Sequence, residues 1–474
     1  MEFDKDLAAR QEARDLCRQA QIASRQLRRM TQTQLDVMTK AMAEAFEAAA
    51  EPLAEQAVRE TGFGNIPDKT AKNRFASRRV HEKIAPMQCV GLLKEDPSNK
   101  LLEIGVPVGV IAAIVPSTNP TSTVCYKALI AIKSGNAIVF SPHPKALGCT
   151  LAAARIVAAA AEQAGAPKGA VSCLTMASMD GTQELMTAPE VNLILATGGP
   201  GMVKAAYSSG KPAIGVGAGN GPAYICPDAD MDAALRCILR SKTFDFGTVC
   251  ASEQSIIVEK STESAFLQSA KAMGFHLLSE AEAEKLGKLL FKPNGSLSPD
   301  VVGKSARYLA ELAGICVPEN TEILIARADR VGPKYPYSME KLCPVLGLFV
   351  VDDEASALEK AMEILSFEGS GHTFSIHTQS RAVAERFAAQ MPVSRFLVNT
   401  PAAQGGIGQS TGLFPALTLG CGAVGGSSSS NNISPTDLVN IRRVAWGLEE
   451  TPPAPKVDPD LLEAITAKIL ERLK

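Results

Sequence analysis

The sequence lacks the patterns by which cysteine and histidine usually build structural sites. It has 11 cysteines but no Cys-x-x-Cys pair, and its 5 histidines are not spaced as metal ligands. These absences argue against a disulfide framework and against structural zinc, so we expect no metal site. They fit a protein of the reducing cytosol.

Charge of one sign, aromatic residues and a targeting segment are also lacking. Lys and Arg number 48 against 50 Asp and Glu, the net charge is -2, and aromatic residues make up 5%. The sequence therefore shows no electrostatic footprint for nucleic acid. The N-terminus carries acidic residues in place of a hydrophobic signal core, and we find no apolar run near membrane-spanning length. We expect a soluble protein that binds neither nucleic acid nor membrane.

What is present is a chain long enough for two or three domains, with 474 residues of which 46% are hydrophobic. Apolar residues at helical spacing predict two or three amphipathic helices between residues 12 and 60. Between 108 and 216, apolar runs alternate with helical segments that end at Gly135 and Gly165, where glycine suits a left-handed cap. This repeated β-α pattern predicts a parallel, doubly wound sheet.

A second alternation of apolar runs and helical segments extends from about residue 224 to 398 and predicts another α/β domain. Its predicted strands include 255–258, 323–326, 346–351, 373–377 and 396–398. Residues 420–432 contain four successive serines and have low hydrophobicity, which is typical of a linker or surface loop.

The strongest chemical signal is a single cysteine at the end of a polar, glycine-containing turn. Residues 244–254 read Phe-Asp-Phe-Gly-Thr-Val-Cys-Ala-Ser-Glu-Gln, and an apolar strand follows at 255–258. A structural cysteine usually lies within an apolar run, as Cys173 does. Cys250 instead has small and polar neighbours, so a substrate could approach its thiol. The pattern favours a presented nucleophile.

The segment around Cys250 resembles the cysteine segment of the CoA-acylating aldehyde dehydrogenases. This group contains the propionaldehyde dehydrogenases of bacterial microcompartments and the aldehyde half of bifunctional alcohol dehydrogenases. Other segments resemble the family in the same order, and the likeness covers roughly residues 15–447: Val-Pro-Ser-Thr-Asn-Pro-Thr at 115–121, Phe-Ser-Pro-His-Pro at 140–144, Glu-Lys-Leu-Cys-Pro-Val-Leu at 340–346 and Leu-Gly-Cys-Gly at 419–422.

The resemblance implies an aldehyde dehydrogenase-like α/β fold with two doubly wound domains and an oligomerisation arm. We expect N-terminal helices and a dinucleotide-binding domain at 1–221, a catalytic domain at 222–404, and a return to the cofactor domain with the arm at 405–447. A homo-oligomer, dimer or tetramer, is implied. A Pro-rich linker at 448–457 and a tail helix at 458–474 complete the predicted organisation.

For the cofactor, the usual Gly-x-Gly-x-x-Gly fingerprint after the first strand is absent. Thr197, Gly198 and Gly199 follow a predicted strand and precede a helix, where small residues allow close approach to phosphate oxygens. A tight βα turn is the structural alternative; the resemblance implies that this turn faces NAD. Ordinary aldehyde dehydrogenases have a second glycine where Val203 stands here.

Two further cofactor contacts are implied by the resemblance. Glu340 stands at the spacing of the family acid that binds the nicotinamide ribose. The segment Ser141, Pro142 and His143 follows the second strand, where hydrolytic relatives commonly carry a lysine toward the adenosine ribose. Its replacement by Ser141 favours NAD, although the sequence does not exclude NADP.

The chemistry implied for the family begins with addition of the Cys250 thiolate to an aldehyde. The resulting oxyanion would be held by the Cys250 backbone N–H and the Asn119 side-chain amide; a turn-forming Asn before Pro120 is the structural alternative. Hydride transfer then leaves a thioester on Cys250. Val216 occupies the position of the general-base glutamate of hydrolytic relatives, so CoA is expected to replace water as the acyl acceptor. His372 is the remaining family-like histidine, and its role stays open.

The tail carries a separate signal. Residues 451–455 read Thr-Pro-Pro-Ala-Pro, a stiff linker, and an apolar stripe follows, with Asp458 and Pro459 suited to begin a helix. Its members are Leu461, Leu462, Ile465, Ile469 and Leu473, with Leu470 at the margin. A helix this short needs a partner, either its own subunit, a coiled coil, or the shell or cargo of a microcompartment.

Together these features predict an enzyme that converts a short aldehyde, propionaldehyde or acetaldehyde, with NAD and CoA to acyl-CoA, in the cytoplasm and within a bacterial microcompartment. Two alternatives stay open: a hydrolytic NAD(P)-dependent aldehyde dehydrogenase with an unconventional base, and a cargo scaffold or inactive relative recruited by its tail.

Overall fold

The computed structural model describes residues 4–448 and 458–473. It begins with the predicted helical region, whose apolar faces pack into the first core through residues such as Ala13, Cys17 and Leu35. The side chains of Thr31 and Gln34 cap the second helix reciprocally. The helices are α1 Lys5–Leu27, α2 Gln32–Ala48, α3 Ala50–Thr61, α4 Ile66–Arg74 and, after a π-helical turn at Phe75–Arg79, α5 Val80–Ile84.

A hairpin that the sequence analysis did not predict follows these helices. Strands β1 Gly91–Asp96 and β2 Leu101–Pro107 pair antiparallel. Both are only partly buried, so their sequences lack the continuous apolar run that marks the central strands.

The first α/β unit contains a five-stranded parallel sheet of order β5-β4-β3-β6-β7. The strand order reverses between β3 and β6, which places a crevice at their carboxyl ends. Gly135 and Gly165 have the predicted left-handed φ of 72° and 101°. The elements are β3 Val110–Ile114, α6 Pro120–Lys133, β4 Ala137–Ser141, α7 Leu147–Gln163, β5 Val171–Cys173, α8 Met179–Thr187, β6 Val191–Thr197, α9 Pro200–Tyr207 and β7 Ala213–Val216.

The second unit contains a seven-stranded parallel sheet of order β10-β11-β12-β9-β8-β13-β14. The short strand β10 was missed by the sequence analysis; the others confirm the predicted runs. The elements are β8 Pro222–Ile225, α10 Met231–Thr243, β9 Ser255–Glu259, α11 Glu263–Ala272, β10 Phe275–Leu277, α12 Glu280–Leu290, α13 Ala306–Leu312, β11 Ile323–Arg327, β12 Val345–Val351, α14 Glu354–Phe367, β13 Gly371–His377, α15 Arg381–Ala388, β14 Val393–Val398 and α16 Ala402–Gly406.

The chain after α16 returns to the first unit. The buried Arg395 guanidinium on β14 donates to the carbonyl oxygens of Gly371 at 3.1 Å and Gly420 at 2.7 Å, which fixes the serine-rich loop. Strand β15 Val439–Ala445 then pairs antiparallel with β2, giving a three-stranded sheet β1-β2-β15. The domain boundaries at 221 and 404 and the role of this sheet as an oligomerisation arm stay predictions.

The tail forms helix α17 Pro459–Arg472, capped by the Asp458 side chain as predicted. Every described tail residue is exposed, including the whole apolar stripe. The predicted Pro-rich linker lies, apart from Leu448, outside the described residues.

One described segment, Pro144–Gln163, is long and apolar enough to span a membrane by length and composition, which the sequence analysis overlooked. It includes α7, which packs against α2 and α6 and buries Cys149, Ala153 and Val157. Its apolar character is explained by this packing in the first core.

Lys127 on α6 is fully buried and ties the two strands that border the crevice. Its Nζ donates to the carbonyl oxygens of Ile114 at 2.8 Å and Leu195 at 2.9 Å. Burial lowers the pKa of Lys127 from 10.5 to about 7. A neutral amine has two N–H donors, which match these two acceptors.

We predict that the stability of the wild type relative to Lys127→Met rises with pH between 7 and 10.5. In this interval the unfolded chain binds a proton at Lys127 that the folded protein does not, so the slope is positive, up to about 1.4 kcal/mol per pH unit. Thermal unfolding of both proteins at pH 7, 8 and 9 measures it. A difference in unfolding midpoint that stays flat or falls with pH contradicts the assignment.

Candidate active site

The loops at the carboxyl ends of β3 and β6 and the loop before β9 enclose a cavity of about 460 Å³. Both α/β units contribute to its walls. Among the residues that line it are Lys72, Asn119, His143, Lys145, Thr197, Gly198, Gly199, Val216, Gly217, Cys250 and Glu340. Most of the predicted site residues therefore meet in one place.

Cys250 reaches the cavity on a tightly held loop. Asp245 and Phe246 at its start have left-handed φ angles of 48° and 50°. A Cβ atom added to Gly219 would lie 1.8 Å from the Cys250 carbonyl oxygen, so only glycine fits there. The cysteine itself is half-buried and lines the cavity.

His372, whose role the sequence left open, contacts the thiol directly. Its Nε2 lies 3.2 Å from Cys250 Sγ, and its Nδ1 lies 2.9 Å from Thr373 Oγ1. The imidazole is fully buried at the start of β13, as the second residue of that strand after Gly371. Its position after a family-like Gly was the available sequence signal, but a lone histidine at a strand start carries too little information to pair it with a cysteine 122 residues away.

The environment keeps both members of this pair neutral. Burial raises the pKa of the Cys250 thiol to about 12, and the neighbouring Glu340 adds to the shift. Burial lowers the pKa of His372 to about 3, with a smaller contribution from Arg395. A neutral thiol therefore faces a neutral imidazole that is available to accept its proton.

Asn119 lies between β3 and α6, where it is the N-cap residue of α6. Its Nδ2 donates to the Thr248 carbonyl at 3.4 Å and to Thr118 Oγ1 at 3.3 Å, both long contacts. Lys72 Nζ donates to its Oδ1. The amide donor end thus lies beside the loop that carries Cys250.

The turn at 197–199 has the properties of a dinucleotide site. Thr197 Oγ1 is buried without a hydrogen-bond partner, and a Cβ added to Gly199 would meet no atom within 4 Å. The turn caps α9 without a side-chain hydrogen bond, which leaves backbone N–H groups free for a phosphate. Val203 points away from this site, since it packs against Gly215 on β7.

Of the second predicted cofactor segment, only His143 lines the cavity. Ser141 and Pro142 are buried behind its wall. The Ser141 hydroxyl is hydrogen-bonded to Thr182 Oγ1 at 2.8 Å and its carbonyl accepts from the Val115 N–H, so the side chain is not free for a cofactor. Lys145, which no sequence motif marked, also lines the cavity and places a cation in this part of the wall.

Glu340 lies in the cavity wall as predicted for a ribose-binding acid. Its Oε1 accepts from the Gly219 N–H at 2.9 Å, and its own N–H donates to Glu368. Burial and the carboxylate of Glu368 raise the pKa of Glu340 to about 8. At neutral pH it is mainly a protonated carboxyl that can both donate and accept.

The glycine-rich segment 215–221 forms the part of the cavity wall that packs against the Cys250 loop. Val216 lines the cavity at the position where hydrolytic relatives would have a glutamate. Gly219 and Gly221 are required by close backbone packing against Cys250 and Thr373, whereas a Cβ at Gly217 would meet open space. Close backbone packing therefore explains Gly219 and Gly221, whereas Gly217 leaves room for a ligand.

Comparison with known proteins agrees with this geometry. A model of the aldehyde dehydrogenase family matches residues 4–277, more than half of the chain. The chain is 45% identical over 428 residues to the bifunctional aldehyde-alcohol dehydrogenase of Escherichia coli K12; this match covers 89% of the chain but 48% of that protein. The chain thus spans about half the length of this curated relative.

Two solved structures match over nearly the whole chain. An acetylating aldehyde dehydrogenase from Geobacillus thermoglucosidasius has 47% identity and a TM-score of 0.93, covering 95% of this chain and 100% of that one. A propionaldehyde dehydrogenase from a fucose utilisation microcompartment of Clostridium phytofermentans has 27% identity and a TM-score of 0.82, covering 91% and 96%. The family match over more than half of the sequence and the shared fold show that the chain belongs to the aldehyde dehydrogenase family.

Proposed function

We propose that this protein is a CoA-acylating aldehyde dehydrogenase that converts a short aliphatic aldehyde, NAD and CoA to acyl-CoA and NADH. The observation that carries the proposal is the half-buried Cys250 thiol beside the buried His372, in a cavity that Val216 lines in place of a water-activating acid. The acetylating activity named for the Geobacillus relative supports the same reaction.

The cavity residues fit NAD. The unpartnered Thr197 hydroxyl, the open Gly199 turn and the uncapped α9 would hold the pyrophosphate, and Glu340 would hold a ribose hydroxyl pair. When bound, NAD accepts the hydride of the aldehyde carbon. The chain's own task is to place that carbon against Cys250 and to exclude water.

The first step joins Cys250 Sγ to the aldehyde carbon. Because the thiol is neutral, attack requires its proton to move to His372 Nε2, 3.2 Å away. Negative charge then develops on the aldehyde oxygen. The Cys250 N–H and Asn119 Nδ2 would donate to it, in the manner of an oxyanion hole.

The second step releases the acyl group from the Cys250 thioester. CoA supplies a thiol with a pKa near 8.5, whereas water has a pKa of about 15.7. Once His372 has released the proton of the first step to solvent, the neutral imidazole can take the CoA thiol proton and return it to Cys250 Sγ as that bond breaks. Val216 offers no base for water, so transfer to CoA is favoured.

The proposed assembly has two parts. The sheet β1-β2-β15 exposes Leu92 and Val444 on one face, and Trp446 is exposed just after β15; these apolar side chains suit pairing between copies of the chain. The tail helix exposes its entire apolar stripe, which suits docking to the shell or cargo of a cytoplasmic microcompartment. The microcompartment origin named for the Clostridium relative supports this location.

We expect sustained NADH formation from propionaldehyde and NAD only when CoA is present. Purified protein is assayed under steady-state turnover with and without CoA, and the product is identified as acyl-CoA or free acid. Cys250→Ala should lose at least about 10³-fold in turnover, whereas Cys316→Ala, at an exposed cysteine outside the cavity, should keep it. Equal turnover without CoA would show that water releases the acyl group and that the hydrolytic alternative is correct.

For His372, we predict that His372→Asn lowers CoA-dependent turnover by about 10²–10⁴-fold, because the proton acceptor of both steps is removed. Part of the loss should be recovered between pH 7 and 9, as more CoA is ionised in solution. His377→Asn is the matched control: it is also a buried histidine of β13. Equal losses in the two variants would indicate a folding defect and contradict the assignment.

Removal of residues 458–474 should leave turnover within about twofold and abolish location in microcompartments, since α17 buries nothing in the enzyme. Cells that express the full and truncated proteins as fluorescent fusions provide the measurement. Leu462→Lys on the stripe should reproduce the truncation, whereas Ala467→Lys on the opposite face of the helix should not. Loss of turnover on truncation would contradict a separate docking role. Turnover that is unchanged by truncation would show that the protein is an active enzyme and would exclude the scaffold alternative.

A further inference from the structure

A buried charge cluster lies directly behind the cavity. Lys69 and Lys72, both on α4, have side chains that are 3% and 2% exposed, and both contact the fully buried Asp245 carboxylate. The Asp68 carboxylate accepts from the Asp245 N–H at 2.8 Å, so two carboxylates and two ammonium groups share a site shielded from water. Buried charge is costly unless its donors are satisfied, so the further contacts of each lysine decide what it does.

The two lysines differ in those contacts. Lys69 Nζ donates to the Thr118 carbonyl and to Asp245, both at 2.9 Å. Lys72 Nζ donates to Asp245, to Thr248 Oγ1 at 3.2 Å and to Asn119 Oδ1. Lys72 also lines the cavity, whereas Lys69 does not.

The contact with Asn119 fixes which end of the amide faces the substrate. An ammonium group has donors and no acceptor, so it can face only the oxygen of the carboxamide. The Nδ2 donor must then point the other way, toward the loop of Cys250. Without Lys72 the amide could turn over, and its oxygen would repel the developing oxyanion.

We infer that Lys72 is a positioning residue for Asn119: its ammonium group orients the amide donor toward the aldehyde oxygen, and its charge polarises that donor. The inference rests on the proposed function, because it assigns Asn119 to the oxyanion. The Nδ2 contacts of Asn119 to Thr118 and Thr248 are long and hold the amide only weakly. The Lys72–Asn119 contact is a charge-assisted hydrogen bond and holds the amide in one orientation.

The test compares Lys72→Met with Lys69→Met. Each variant leaves Asp245 paired with the other lysine, so the burial and charge change are matched, and only Lys72→Met removes the contact with Asn119. We expect Lys72→Met to lower kcat by about 10–10²-fold with KM for aldehyde and NAD within about threefold, since the lost interaction acts only in the transition state. Lys69→Met should lose less than about threefold in kcat at a similar thermal unfolding midpoint.

A double-variant cycle separates positioning from a general structural effect. Asn119→Ala alone should cost about 10²–10³-fold in kcat, and adding Lys72→Met to it should cost nothing further, because Lys72 acts through Asn119. If the losses in kcat of Asn119→Ala and Lys72→Met multiply in the double variant, the inference is overturned. Equal losses in Lys72→Met and Lys69→Met would overturn it as well. If Lys72→Met does not fold, Lys72→Gln serves in its place, because its amide can still donate to Asn119 Oδ1; it should keep more activity than Asn119→Ala.

Besides kcat, each variant is compared by the rate constant of its NADH burst, measured without CoA, because the burst precedes any acyl release. This burst reports the oxyanion step whichever nucleophile follows. A wild-type burst with steady turnover in water would overturn CoA transfer while leaving the Lys72 comparison valid. Absence of any wild-type NADH with propionaldehyde or acetaldehyde would overturn the proposed function and this inference with it.

Discussion

The buried carboxylate of Asp245 is the contact on which the position of Cys250 depends, because it joins the N-terminal helices to the loop that carries the thiol. It accepts from Lys69, Lys72, the Thr248 hydroxyl and the Asn65 N–H, so loss of either lysine leaves it paired with the other. Burial alone would raise its pKa, but the two lysines hold the pKa below its usual 3.8. Asp245 and the following Phe246 both have left-handed φ, a conformation that persists only where the surroundings enforce it. The first helices of the chain therefore support the loop of the cavity, although they contribute no nucleophile or base.

Exclusion of water sets the electrostatics of the remaining site. The same burial that keeps Cys250 as a thiol and His372 as an imidazole also keeps Glu340 mainly protonated. None of these groups carries a charge at rest, so charge arises only when substrate is attacked. In such a site a nearby ammonium and a fixed amide donor act more strongly than they would in water. The arrangement favours the charged transition state without stabilising an ionised resting enzyme.

The sequence allowed the central strands, the two parallel sheets and a cysteine presented to the cavity to be predicted, since each leaves a local pattern. Continuous apolar runs mark β3 and β12 because both faces of these strands are buried. The half-exposed strands β1, β2 and β15 lack that run, and the β2–β15 pairing joins residues more than 300 positions apart. His372 and Lys72 were missed as site residues for the same reason. Their contact partners come from distant elements, and no pattern in the neighbouring sequence indicates either contact. Ser141 is a converse case, a residue placed near the cofactor by its position in the sequence, whose hydroxyl is hydrogen-bonded to Thr182 in the structure.

The two shifted pKa values of the central pair determine how a proton can pass during acyl transfer. An anionic leaving group departs more slowly as the pKa of its conjugate acid rises, and for Cys250 that pKa is about 12. Departure as a free thiolate is therefore unfavourable, and Cys250 needs a proton as the thioester breaks. His372, once protonated by the incoming CoA thiol, would be a strong acid with a pKa of about 3 and would not keep that proton. The CoA thiol, with a pKa near 8.5, is a stronger acid than Cys250, so the overall proton transfer from CoA to Cys250 is favourable, and the 3.2 Å contact would supply the path through His372. Run in reverse, the same path would return the proton to CoA, so in the proposed reaction a single histidine would serve both directions of the thiol exchange.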